Sequence, residues 1–430
     1  MLDADIVALY RFDHRGLLMQ SHGIEATRVI SLDAMRGFAV MGILAMNIIG
    51  FSMPEWAYVT PAAYAGETIA DQIAWFFSFI FIEGKMRGLF SLLFGASMML
   101  VIERADAKGE SAAKVHYSRM FWLGLFGLVH YFFIWFGDIL VTYATIGCIA
   151  FLFRNWEAER LIKWALIIFA LGLLIWSVQF GGLQILQHMA TMPGADADSV
   201  KQYREIMKSP DFDLNVATDL ALHRGAYWPI VLEKLGEWHS PFTYAAQSLG
   251  ETLPLMMIGM AMKKNGFLTG EWAQADYKRW AMKLVPAGLM LSTLLAVWVA
   301  ASDYDLITSL SVFLAWNAMP RLVLTIGYAA LLLMLVAALG SGSFIQRVAA
   351  AGRAAFTNYL GTSILMTTIF YGYGLGLFGY VSRPELWLFV FGAWAVMLLW
   401  SKPWLMRYRY GPLEWLWRSL ARMSLQPMRR

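Results

Sequence analysis

The stretch IADQIAWFFSFIFIEGKMRGLFSLLFGASMMLVIE, residues 69–103, decides how this chain is read. As one helix it would run about 50 Å, well beyond a hydrocarbon core about 30 Å thick. Its middle, Glu83-Gly84-Lys85-Met86-Arg87-Gly88, crowds three charges and two glycines into an apolar run. Charged groups at membrane depth are costly unless paired or wet. The pattern predicts two half-helices that meet at a break inside a membrane, a geometry that suits a binding site.

The rest of the chain has the same character. Of its 430 residues, 59% are hydrophobic and 15% are charged, against about 25% charged in soluble domains. Apolar runs near 35–53, 69–103, 116–136, 139–153, 161–188, 242–262, 280–301, 306–339, 350–373 and 385–401 predict an all-α bundle of about ten transmembrane helices. The run 306–339 is also overlong and is interrupted at Asn317, Pro320 and Arg321.

Charge in the loops sets the orientation. With a cytoplasmic start, the short outer loops 48–68, 137–138, 302–305 and 374–384 hold a single basic residue, Arg383. The inner segments and the tail hold most of the Lys and Arg, as the positive-inside rule requires. Both termini are therefore expected in the cytoplasm, with the chain multi-pass in its membrane. The net charge of +4 reads as topology signal and not as a nucleic-acid footprint.

The organisation that follows is a cytoplasmic arm at 1–27, a membrane half at 28–188, and a polar outer segment at 189–241. A second membrane half spans 242–401, and a basic cytoplasmic tail spans 402–430. The outer segment carries eight acidic and five basic residues and is expected to form a lid. Cys148 is the single cysteine, so no intrachain disulfide is possible, and no pair of histidines has H-E-x-x-H spacing, so no metal site is expected.

The polar residues inside the runs are the candidate site. Asp33 and Arg36 lie three apart on the first helix, and Asn47 follows on the same face about 16 Å further on. Glu83, Lys85 and Arg87 mark the broken helix; Glu83 and Arg87 are four apart and either neutralise each other or hold an anionic ligand. His130 and Asp138 flank a tight turn at Gly137, within reach of each other, and a histidine held by a carboxylate is a common general base. Glu251, Arg353 and Asn358 complete the set as substrate-binding candidates.

The run Arg28-Val29-Ile30-Ser31-Leu32-Asp33-Ala34-Met35-Arg36-Gly37, continuing to Asn47, resembles the opening of the YeiB-like family of bacterial membrane proteins. So do EGKMRGLFSLLFGA at 83–96, WFGDILVTYATIG at 135–147, PLMMIGMA at 254–261, AGRAAFTNYL at 351–360, FYGYGLGLFG at 370–379 and GPLEWLWR at 411–418. The amino-terminal half of that family looks like a superfamily of transmembrane acyltransferases that includes heparan glucosaminide N-acetyltransferase. The resemblance implies transfer of an acyl group from cytoplasmic acyl-CoA, a co-substrate, to an outer hydroxyl or amine of a small-molecule, glycan or lipid acceptor. Asn47 would then position the acceptor. The catalytic histidine of that superfamily has no counterpart here, because no histidine lies between His22 and His116 and Tyr58 stands at the matching spacing. His130, oriented by Asp138, is the expected replacement. Membrane lipids and a second copy of the chain are the expected partners. A transporter or flippase, suggested by the broken helix and Glu251, and a non-catalytic lipid-binding scaffold are the alternatives.

Overall fold

A computed structural model describes residues 14–430 apart from 210, 211, 213, 214 and 341, with side chains from Ile30 onward. Residues 1–13 of the amino-terminal arm therefore lie outside the described residues. The described chain is helical, without a strand. Helix α1 (His14–Ser52) is followed by two 3-10 turns, then by α2 (Ile69–Phe81), α3 (Lys85–Asp106), α4 (Ala112–Phe133), α5 (Leu140–Ala150) and α6 (Ala158–Thr191). Within the insertion lie α7 (Ala197–Met207), α8 (Val216–His223) and α9 (Tyr227–Gly236). The second half contains α10 (Ser240–Gln247), α11 (Leu249–Lys264), α12 (Gln274–Ala301), α13 (Leu306–Ser311) and α14 (Ala318–Leu339). It ends with α15 (Ser343–Arg353), α16 (Ala355–Phe370), α17 (Arg383–Arg407) and α18 (Pro412–Ala421).

Six segments among the described residues are long and apolar enough to cross a membrane: Ile30–Ser52, Ile69–Asp106, Ala158–Thr191, Gln274–Ala301, Ala318–Leu339 and Arg383–Arg407. The other four expected runs form the more polar α4, the short α5, and the broken pairs α10/α11 and α15/α16. Helix α1 is central, with 72% of its span buried, whereas α6 and α12 bury only 17% and 22% and turn their apolar side chains outward. Leu171, Ile175 and Val178 on α6 are exposed, as are Met290, Leu294 and Val297 on α12. This is the surface of a protein whose solvent on that face is hydrocarbon.

Both interruptions read from the sequence are present. The first falls between Phe81 and Lys85, where Gly84 takes φ +69°. A side chain at Gly84 would also strike Arg321 Cδ at 1.9 Å, so backbone freedom and space both require glycine. The second is a five-residue π-helical turn, Val312–Trp316, which ends at Asn317 before α14. Such turns are common at functional sites because they re-aim side chains within a continuous helix.

Glycines set two close crossings. A Cβ at Gly95 on α3 would meet the Met256 carbonyl at 2.0 Å, and one at Gly259 on α11 would meet the Leu92 carbonyl at 2.0 Å. Gly37 of α1 and Gly352 of α15 form the same reciprocal arrangement, against Val348 O and Asp33 O. Backbones approach this closely only where side chains are absent. The one basic residue of the short loops expected outside, Arg383, is buried. Its guanidinium donates to the carbonyls of Ala57, Tyr64 and Ala65, so it holds a loop together.

Candidate functional site

Two cavities lie along α1. The basic cavity is about 390 Å³ and the polar cavity about 470 Å³, both within the roughly 300–1,000 Å³ usual for small-molecule sites. Ile43, Ile139 and Tyr359 line both, so a septum of three side chains divides them. The floor of the basic cavity comes from the C-terminal helix α18, and the insertion borders the polar cavity through Lys234 and Glu237.

Six arginines face the basic cavity: Arg36, Arg104, Arg119, Arg353, Arg409 and Arg418. Against them stand two carboxylates, and both are engaged. Asp33 accepts from Arg36 at 2.9 Å, and Arg36 also donates to Ser97 Oγ at 2.9 Å. Glu414 accepts from the Phe356 and Thr357 backbone amides at 2.7 and 3.1 Å and from the Thr357 hydroxyl at 2.5 Å. Those bonds cap the first turn of α16 and fasten α18 beneath the bundle. Burial pushes the Glu414 carboxyl up, opposed by the hydrogen bonds from Thr357. The Arg119 guanidinium lies 4.1 Å from the Trp417 ring centre and that of Arg418 4.6 Å from Tyr410, so flat aromatic surface adjoins the charge. Six guanidiniums against two engaged carboxylates give the cavity an excess of positive charge, which is complementary to anionic groups.

The polar cavity is built around the helix break. Glu83 accepts from Asn317 Nδ2 at 2.6 Å and pairs with Arg321 at 3.5 Å. Arg321 donates to Glu251 at 3.0 Å, Arg87 donates to the same oxygen at 3.0 Å, and Arg87 also donates to the Tyr244 hydroxyl at 2.9 Å. The result is an alternating chain, Glu83, Arg321, Glu251, Arg87, which neutralises four charges drawn from the α2–α3 break, α11 and α14. Glu83 and Arg87 therefore do not pair with each other, as their four-residue spacing suggested. The break between them turns the two side chains to different partners.

Asn47 faces this cavity, and its amide makes no hydrogen bond to any described residue. Tyr58 lines the same wall. Asp138 is bound to His130, with Oδ1 2.9 Å from Nδ1, and its Oδ2 accepts the Val141 amide at 2.8 Å. The pairing expected across the Gly137 turn is therefore formed, but in the reverse order. Asp138 lines the cavity, while His130 is fully buried behind it and its Nε2 has no partner among the described residues.

Two further expectations are corrected. Lys85 does not face a cavity. It is fully buried and its Nζ donates to the Phe79 carbonyl at 2.6 Å, so its amine caps the C-terminal turn of α2. Asn358 donates to Ala351 O and Ser401 Oγ and accepts from Trp400 Nε1, so its amide is consumed in joining α16 to α17. The remaining candidates divide between the cavities, with Asp33, Arg36 and Arg353 in the basic one and Asn47, Glu83, Arg87, Asp138 and Glu251 in the polar one. The arginines at 104, 119, 409 and 418 were legible only as loop charge, and Arg321 only as a helix interruption.

The chain is 30% identical over 404 residues to "Uncharacterized protein YeiB" of Escherichia coli (strain K12), covering 93% of this chain and 98% of the relative. It belongs to the YeiB family. "Uncharacterized protein YxaH" of Bacillus subtilis (strain 168) is likewise 30% identical, over 415 residues, with 93% and 96% covered. Residues 261–424 match the family described as "Protein of unknown function (DUF418)". That region supplies the YeiB-family fold with α12, α14 and the arginine-bearing floor of the basic cavity. No solved structure matches the chain.

Proposed function

We propose that this YeiB-family protein transfers an acyl group across the bacterial inner membrane, from cytoplasmic acyl-CoA to an amine or hydroxyl presented on the outer side. The observation that carries the reading is the pair of cavities. An arginine-lined chamber and a polar chamber meet end to end at a septum of Ile43, Ile139 and Tyr359. In this reading ten crossings leave both termini in the cytoplasm, so the basic cavity opens inward and the polar cavity outward. The diphosphate and ribose phosphate of the donor sit among the arginines. The pantetheine arm threads the septum beside α1, and the thioester reaches the neighbourhood of Asn47.

In the transfer step the acceptor oxygen or nitrogen attacks the thioester carbonyl carbon. The carbon–sulfur bond breaks, and the acceptor proton passes by way of the Asp138 carboxylate to the departing thiolate, giving the acylated acceptor and free CoA. Asn47 positions the acceptor through an amide that no described residue engages. His130 is a positioning residue that holds Asp138 through its Nδ1. The neutralised chain from Glu83 to Arg87 keeps the broken helix in one geometry around the reacting groups.

The test uses purified protein in nanodiscs with labelled acetyl-CoA and a cell-envelope extract. CoA release and label transfer are expected. Asp138→Asn and Asn47→Ala should remove transfer while acetyl-CoA still binds. If the wild type neither binds nor cleaves acetyl-CoA, the reading fails. Substrate flux into proteoliposomes that depends on Glu83 but not on acyl-CoA would favour transport instead, a role that the broken helix and its charge chain would also suit.

A further inference from the structure

Segment 189–241 reads from its charges as a polar cover, but α9 and the residues after it are two-faced. Trp228, Leu232 and Trp238 are 63%, 64% and 64% exposed, and Leu235 and Phe242 join them on the outside. Trp228, Leu232 and Leu235, four and three residues apart, share one face of α9, with Trp238 in the turn that follows and Phe242 on α10. Ile230, on the opposite face, is buried, and Val231, at the edge of the stripe, is 1% exposed. Lys234 and Glu237 belong to that inner side and border the polar cavity. A ten-residue helix is about 15 Å long, too short to cross a bilayer. Two exposed tryptophans above an apolar stripe are the signature of a helix lying in the headgroup region.

The stripe is also continuous with membrane-facing surface. On α4 the exposed side chains Phe121, Leu125, Val129 and Phe133 recur every four residues and form a ridge along one face. The ridge ends where the Tyr227 hydroxyl donates to the Phe133 carbonyl at 2.7 Å. The outer face of α9 begins at that point, with Trp228 the next residue.

We propose that α9 and the turn after it dock in the lipid interface through Trp228, Leu232, Leu235 and Trp238, so that the polar cavity takes its second substrate from the bilayer and not from bulk water. The acceptor is then an amphiphile. Its headgroup, bearing the amine or hydroxyl, passes Lys234 and Glu237 toward Asn47, and its apolar part stays in the lipid. Naming it an acceptor rests on the acyl-transfer reading; the docking of α9 does not.

Single cysteines placed at Leu232, Trp238 and Lys201 in a Cys148→Ser background, labelled with a fluorophore, test the docking in nanodiscs. Fluorescence at 232 and 238 should be lost to a phospholipid spin-labelled near its headgroup and spared by aqueous iodide, with the opposite result at 201. Iodide quenching at all three positions would overturn the docking. So would disulfide cross-linking of Trp238→Cys between two copies, which would assign the stripe to self-association. For the substrate, CoA release should rise with amphiphilic amines in the nanodisc and not with their water-soluble analogues, and Trp238→Glu should lower the amphiphile rate while acetyl-CoA binding is kept. Equal rates with the soluble analogues would overturn the amphiphile assignment. Absence of CoA release with any acceptor would strike the acyl-transfer reading, and the quenching result would stand independently.

Discussion

Arg321 shows how much a single residue can hide. Beside Pro320 it reads as the edge of a helix, yet it is buried and joins Glu83 to Glu251 across three segments of the bundle. Local spacing makes Glu83 and Arg87 partners; the turn at Gly84 sends one to Arg321 and the other to Glu251, and no spacing rule contains that turn. Removing one member of a buried ion chain leaves an uncompensated charge and is expected to cost about 3–5 kcal/mol. Glu251→Ala, which takes a carboxylate from both Arg321 and Arg87, should lower the thermal unfolding temperature in nanodiscs more than Glu83→Ala, which takes one from Arg321 alone. The double variant Glu83→Met with Arg321→Leu should lose less than the two single changes together, because it removes charge in pairs. Additive losses would mean that the four residues do not act as one chain.

Elements were easier to read than their contacts. The break at 83–88 and the interruption at 317–321 were visible because charge, proline and glycine seldom gather inside an apolar run unless the helix changes course there. The crossings were not visible. Gly95, Gly259, Gly361 and Gly392 look alike in the sequence, but the first two lie against the backbone of a neighbouring helix and the last two have open space around their Cβ positions. Gly259→Ala should therefore force α3 and α11 apart and sharply reduce the yield of folded protein, measured by size-exclusion chromatography after mild solubilisation. Gly361→Ala, on α16, should be tolerated or should stabilise by up to about 1 kcal/mol, since alanine favours helix where nothing obstructs it. Equal behaviour of the two variants would contradict the close crossing.

At the scale of the whole molecule, the same charges serve two ends. Arg104, Arg119, Arg353, Arg409 and Arg418 count toward the positive-inside bias, and the fold gathers them with Arg36 around one cavity. A cytoplasmic start would account for arginine on one side of the membrane but not for its convergence, and a charge count along the chain cannot tell scattered loops from a lined chamber. The two roles separate experimentally. Under the proposed orientation, a cysteine at Lys201 is labelled from outside intact spheroplasts and one at Arg430 is not; Arg353→Gln and Arg119→Gln should leave that pattern unchanged, because many other basic residues remain on the inner side. Their effect should fall on donor binding. A charge-assisted bond is worth about 1.5–3 kcal/mol, so each change should weaken acetyl-CoA binding by about tenfold or more. Binding to the wild type should also weaken as salt rises, since its attraction is charge on charge, and each variant should show a shallower salt dependence. Affinity indifferent both to salt and to these arginines would place the donor phosphates elsewhere, and the two-chamber path from phosphate to thioester would lose its inner end.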